Sequence, residues 1–385
     1  MATGLNRELL PATARPQSGL FRVPRWFERL FVATIAAVAF AVQEHRVAAR
    51  LVMAQVIVSI VLCNAAGRPV IVGIGDAVIT IWGAAFFFGL MALAVALVRR
   101  RPAGIPARAA YRIASRRLWT ESFSASWLAS VLFVLVILPI SLDVFSAAKR
   151  AIPAVHPFDW DTRIDLLGAW IHGGHRPWEL LQPVLGHPWI TRLADDYYHL
   201  GWALLILGAQ GLAIVAAPSE LRRRYITASI LVWFVVGTIG ATLFSSAGPT
   251  YYGHVVSGPN PYAGLVSYLD SVDRVTPLLS RGGQRSLWHV YEHGGDVFGF
   301  GVSAMPSVHI ATATLLACLC FSIRRWMGVA ATLGAVLMFV CSVILGWHYA
   351  VDGYAGAIMA IGLWWIAGRM ERSITLARLA DPPSV

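Results

Sequence analysis

Charge is scarce in this chain: only 13% of its 385 residues are Asp, Glu, Lys or Arg, where a soluble globular domain carries about a quarter. That shortage excludes an ordinary water-solvated fold, and 57% hydrophobic residues with a mean hydropathy of +0.64 point the same way. Lysine is nearly absent, since Lys149 is the only one among 31 basic residues. The net charge of +11 would suggest nucleic acid if the arginines were spread over one surface. They are instead grouped between apolar runs, from Arg99 to Arg117, at Arg222, Arg223 and Arg224, and at Arg324 and Arg325. Such grouping is topological, because the cytoplasmic loops of membrane proteins retain basic residues. The four cysteines, Cys63, Cys318, Cys320 and Cys341, all lie inside apolar runs, which excludes a disulfide framework. The first 29 residues hold five arginines and no early apolar core with a small-residue cleavage site, so no removable signal peptide is expected and the N-terminus is read as cytoplasmic.

Long apolar runs are what the chain has in abundance, and a run of about 20 residues crosses a bilayer as a helix. Candidate spans are 51–66, 77–98, 125–142, 198–217, 225–244, 309–322, 327–346 and 351–367. The expected fold is therefore all-α, a polytopic bundle of about eight transmembrane helices. With the arginine groups and the tail around Arg369 and Arg372 on the cytoplasmic side, every span alternates direction without conflict. Residues 30–42 are apolar but short and are followed at once by Glu44, His45, Arg46 and Arg50, so an interfacial or re-entrant helix is expected there. The outside connections 143–197 and 245–308 are dense in Trp, Tyr, Pro, Gly and His, unlike disordered chain, and should pack over the helix mouths.

Chemistry concentrates at two helix ends. Ala304-Met305-Pro306-Ser307-Val308-His309 stands where one apolar run begins, and His348-Tyr349-Ala350-Val351-Asp352 stands where another does. The run from His309 descends to Arg324 and Arg325, and the next climbs back to His348. One hairpin thus returns the second histidine to the face of the first. Pro306 suits a helix entry, and the free N–H groups of the first turn with Ser307 form an anion site beside His309. His348 and Asp352, four apart, share one helical face, where the carboxylate fixes the imidazole tautomer.

Met305-Pro306-Ser307-Val308-His309 and His348-x-x-x-Asp352 resemble the second and third signature motifs of the type 2 phosphatidic acid phosphatase superfamily. The bulky residue between Ser and His is similar to the inositol phosphorylceramide synthase branch, whose members transfer a headgroup phosphate between lipids. The resemblance implies a six-helix phosphatase-like core, an attack on phosphorus by His348, orientation by Asp352, proton donation by His309 and phosphate binding by Ser307. It implies no metal and no other cofactor. The superfamily's first motif, a lysine followed after six residues by Arg-Pro, falls at Lys149 and His156-Pro157, so Lys149 and His156 join the candidate substrate-binding residues. The motif arginine is replaced here, and the Ser-Arg pair of the third motif falls at Cys341-Ser342. Arg150, Arg163, Arg281 and Arg285 stand in outside segments as possible substitutes. The expected organisation is a cytoplasmic segment over 1–29, an N-terminal membrane region over 30–124, a phosphatase/phosphotransferase-like membrane domain over 125–370 and a cytoplasmic tail over 371–385.

Three further patterns compete. His289-Val290-Tyr291-Glu292-His293 fits the inverted zinc-protease pattern, but a third ligand and a helix are needed and Gly294-Gly295 ends the segment, so a surface loop is expected. His172-Gly173-Gly174-His175, with Asp159, Asp161 and Asp165, is expected to cap short helices. The stretches around Tyr251 and Tyr262 read as aromatic turns lining an acceptor pocket.

The expected function is a membrane phosphotransferase that moves a phosphoryl-containing headgroup from a lipid donor to a hydroxyl acceptor through a phosphohistidine intermediate at the outer membrane face. The alternatives are a lipid-phosphate or polyprenyl-pyrophosphate phosphatase using water, and a non-enzymatic transporter, for which no inverted repeat is evident. Arginine and alanine bias points to a GC-rich bacterial genome, hence to an inner membrane with the site facing periplasm or exterior.

Overall fold

The computed structural model describes residues 25–68, 125–213, 219–294 and 301–380, with side chains over 32–68, 127–213, 219–294 and 301–373. The expected span 77–98 and the arginines from Arg99 to Arg117 lie outside the described residues. The regular elements are helices: α1 (Arg25–Glu44), α2 (Arg46–Ala65), α3 (Ala125–Val155), α4 (Asp161–Ile171), α5 (Pro177–Leu185), α6 (Pro188–Asp196), α7 (Trp202–Gly211), α8 (Ser219–Leu243), α9 (Ala263–Val275), α10 (Leu279–His293), α11 (Val308–Ile323), α12 (Arg325–Ile344) and α13 (Ala350–Ala380). No strand occurs among the described residues. The protein is an all-α membrane bundle.

Five of these helices are long and apolar enough to cross a membrane: α2, α3 from Trp127, α8, α12 and α13 to Ser373. Val32–Glu44 and α11 are apolar but shorter. Met53, Ile57 and Val61 on α2, Leu333, Val336 and Leu337 on α12, and Ile358, Ile361 and Trp365 on α13 point outward, as apolar side chains do where lipid is the solvent. The central helix is α8, with 78% of its apolar window buried by protein against 33% for α2.

Three boundaries differ from the sequence expectation. The segment 30–42 does not turn back, since His45 N–H bonds to Ala41 O and Ala49 N–H to His45 O, which carries the helical ladder from α1 into α2. Its polar end is absorbed by protein: Glu44 and His45 are buried beside Ser130, Arg222 and Phe133. Next, α3 does not stop near Leu142 but continues to Val155, past Pro139 and Pro153. The polar residues that closed its apolar run, Asp143 and Ser146, face inward and are buried. Finally, the span expected from residue 198 is helical already at Pro188, and a π-helical turn over Tyr197–Gly201 joins α6 to α7.

The site is positioned by α11, α12 and α13. The first two form an antiparallel hairpin closed at Arg324, and α13 runs parallel to α11. Ser307 N–H donates to the Asp352 carbonyl at 3.0 Å, while Ala311, Leu315 and Leu319 share a core with Ala360, Leu363 and Ala367. A Cβ at position 356 would lie 2.4 Å from the Ser307 carbonyl, so only glycine lets the two helix starts come this close. Over this end lies a cap in which Leu265, Leu269 and Val272 of α9 pack against Ile344, Leu345 and Tyr349.

Candidate active site

The link between α12 and α13 presents His348. Gly346 takes a φ of +71°, a left-handed conformation open to glycine, and the chain then folds so that Trp347 and His348 N–H groups both return to Ser342 O. In the first turn of α13, Asp352 Oδ2 accepts the Tyr349 N–H at 2.9 Å and lies 3.3 Å from His348 Nδ1. An acceptor at Nδ1 fixes the proton there, leaving Nε2 with its lone pair. His348 and Asp352 are buried, and Asp352 Oδ1 has no hydrogen-bond partner among the described residues.

Facing them is His309 at the start of α11, a helix capped by Ser307, whose Oγ accepts the Ile310 N–H. The His309 and His348 ring centroids are 5.8 Å apart. The His309 ring is held between Tyr198 at 4.7 Å and Trp202 at 4.3 Å. Lys149, on α3 rather than beyond it, packs its stem against Gly301 at the entry to the Ser307 segment.

The remaining sequence candidates sit elsewhere in the polar framework. His156 has both ring nitrogens engaged, Nδ1 with Thr242 O at 2.5 Å and Nε2 with Asp159 at 3.3 Å. Arg281 is buried and bonded to Asp270, Thr250 and Gln284, Arg285 pairs with Asp270 and Asp273, and Arg163 lies over the Trp160 ring. Of the residues expected to cap short helices, His172 is the C-cap of α4, with its Nδ1 2.7 Å from Gly168 O, while the carboxylates Asp161 and Asp165 make long-range ties. Asp161 accepts the Ala247 and Gly248 N–H groups and the Tyr349 hydroxyl, at 2.8, 2.8 and 2.7 Å, and burial pushes its carboxyl above the ordinary value. Asp165 holds Arg176 through two bonds and accepts the Tyr262 hydroxyl. His289-Val290-Tyr291-Glu292-His293 is not a loop but the last turns of α10; its two imidazoles stack on each other, and among the described residues no group of three potential ligands is placed to hold a metal.

A cavity of about 280 Å³ opens beside the His348 turn, lined among others by Thr250, Tyr251, Arg281, Gln284 and Trp288. Its walls are tied to that turn: Thr250 N–H bonds to Gly346 O, Gln284 Nε2 to Leu345 O and Trp347 Nε1 to Ser280 Oγ. Sequence reasoning missed Tyr198, His199 and Trp202. The available signal was the spacing Asp195-x-x-x-His199, which repeats in reverse the spacing of His348 and Asp352.

A profile of the PAP2 superfamily matches residues 164–366, a stretch that contains Ser307, His309, His348 and Asp352 and begins after Lys149 and His156. No curated protein and no solved structure matches the chain. With more than half of its length covered by that profile, the chain belongs to the PAP2 superfamily, whose chemistry is that of phosphatases and phosphotransferases acting on phosphate esters.

Proposed function

We propose that the protein is a membrane phosphotransferase of the inositol phosphorylceramide synthase-like kind, moving a phosphoryl-containing headgroup from a lipid donor to a hydroxyl acceptor. The observation that carries the reading is the pair of imidazoles, 5.8 Å apart, one with its Nδ1 held by a buried carboxylate. In the first step the lone pair on His348 Nε2 forms a bond to phosphorus, the bond from phosphorus to the leaving oxygen breaks, and His309 gives that oxygen its proton. In the second, the acceptor hydroxyl loses its proton to His309 and its oxygen bonds to phosphorus while the phosphorus–nitrogen bond breaks. Lys149 and Ser307 bind phosphate oxygens and His156 supports their segment. Burial of His348 and the aromatic wall of Tyr198, Trp202 and Trp347 favour a transferase, because excluding water protects the intermediate from hydrolysis. The site faces the periplasm or exterior of a bacterial inner membrane.

The test is to incubate the full-length protein, in mixed micelles, with a radiolabelled total phospholipid extract and a long-chain alcohol. A new labelled lipid, lost in His348→Ala, is expected. Free phosphate as the sole labelled product would instead establish a phosphatase, and an unchanged lipid profile in both proteins would remove the enzymatic reading.

A further inference from the structure

The proposed chemistry leaves unused a second carboxylate–imidazole pair beside the site. Asp195 is fully buried and accepts the Leu279 and Ser280 N–H groups at 2.6 and 2.9 Å, so the start of α10 holds it in place. Burial pushes its carboxyl up, but the hydrogen bonds from His199 and Ser280 outweigh burial and hold it below the ordinary carboxylate value. His199 Nδ1 lies 2.9 Å from the Asp195 carbonyl and 3.4 Å from its carboxylate. Both partners are acceptors, so Nδ1 carries a proton and Nε2 is the outward nitrogen; burial disfavours the charged ring, but the bonds to Asp195 and its charge outweigh burial and raise His199 above its ordinary value, so Nε2 carries a second proton and is a donor. The His199 side chain is 28% exposed, enough to reach a ligand.

Its surroundings are those of the site. The His199 ring lies 6.1 Å from Trp347, the residue before His348, and 5.3 Å from Tyr198, which stacks on His309. The backbone arranges this. Neighbours on an α-helix diverge by about 100°, and the wider π-helical turn over Tyr197–Gly201 narrows that angle so that Tyr198 and His199 turn toward one place. Tyr198 Oη is buried there without a hydrogen-bond partner among the described residues.

His199, His309 and His348 thus share one aromatic surround of Tyr198 and Trp347, while Asp195 and Asp352 already hold N–H donors of their own. A charged imidazole with an outward N–H donor suits an anion. We propose that His199, held by Asp195, binds the phosphate oxygens of the substrate and supplies the donor that His156 and Ser342 do not supply at the arginine positions of the superfamily motifs. This rests on the phosphoryl-transfer reading above.

Calorimetric titration of the full-length protein in detergent with orthovanadate, a phosphate mimic, tests it beside steady-state kinetics on labelled lipid. His199→Gln should weaken vanadate binding and raise KM by about tenfold, the size of one charge-assisted hydrogen bond, with kcat within about threefold of wild type. His199→Arg should recover most of the binding, and Asp195→Asn should fall between. Vanadate affinity unchanged in His199→Gln, no vanadate binding by the wild type, or a fall in kcat at constant KM would each overturn the assignment. If vanadate binding depends on His199 but no lipid is turned over, the transfer reading fails and the anion site stands.

Discussion

The bundle carries a buried polar cluster at each end, and the two are built on opposite principles. Where the ends of α1 and α13 meet α3 and the start of α8, each carboxylate is answered: Glu44 by Ser130, Arg222 and Arg223, and Glu371 by Thr227 and Arg223. At the far end, Asp352 and Asp195 each orient an imidazole, His348 and His199, whose other nitrogen is left open, and Asp352 keeps one oxygen unbonded among the described residues. Charges of both signs that satisfy one another hold helices together. A cluster whose carboxylates orient imidazoles and leave an acceptor unused is prepared for a ligand, and the cost of burying it is tolerated because it performs a task.

Breaking each end separately should give a double dissociation. The largest effect belongs to His348→Ala: turnover of labelled lipid should fall by about 10⁴-fold or more, as when a covalent nucleophile is removed, with the unfolding midpoint in detergent close to wild type. Glu44→Gln should do the reverse. Removing the negative charge that faces buried Arg222 costs about 3–5 kcal/mol, read as a lowered unfolding midpoint, while turnover per folded molecule persists. A Glu44→Gln protein that folds as stably as wild type but has lost turnover would merge the two clusters into one functional unit.

Asp161 sharpens the comparison because it belongs to the framework yet touches the catalytic turn. It ties α4 to the Ala247–Gly248 backbone and to Tyr349, the residue after His348. Asp161→Asn leaves at least one buried N–H without an acceptor, so a loss of about 1–3 kcal/mol is expected with a turnover drop of about tenfold. Tyr349→Phe in the same background tests the coupling. If the two substitutions add in full, the hydroxyl–carboxylate bond does not transmit to the site.

The hairpin logic was legible because α11 and α12 are uniformly apolar and their ends are marked by Ser307, Arg324 and Arg325. That His309 and His348 share a face followed from counting turns. Two of the three boundary errors fell where a helix lines the site. Asp143, Ser146 and Lys149 on α3, and Asp195, Asp196 and His199 at the junction of α6 with the π-helical turn, lower the local hydropathy, so an apolar run ends at them although the helix goes on. Polar residues that face a buried site imitate a helix end. The same mistake turned α10 into a loop and hid His199, whose neighbours Asp195, Asp196, Tyr197 and Tyr198 read as the wet border of a span. Nothing in the linear order showed that the start of α10 would donate to Asp195, since that contact joins residues 84 and 85 positions apart.

Acid should separate the two ends most gently. Asp195 and Asp273 anchor the start of α10, Asp195 through the Leu279 and Ser280 N–H groups and Asp273 through Leu278 N–H and Arg285. Burial raises both carboxyls, but the bonds from His199 and Ser280 to Asp195, and from Leu278 N–H and Arg285 to Asp273, prevail and both lie below the ordinary 3.8. A carboxyl depressed in the folded state binds fewer protons folded than unfolded, so its contribution is complete above that ordinary value and disappears as pH falls through the folded one. The unfolding midpoint should therefore be flat from neutrality to roughly pH 5 and decline below about pH 4. In Asp273→Asn the decline should be shallower, and in Asp195→Asn with Asp273→Asn shallower still, with a lower midpoint at neutral pH. An acid decline as steep in the double variant as in wild type would assign the sensitivity to carboxylates outside the cap.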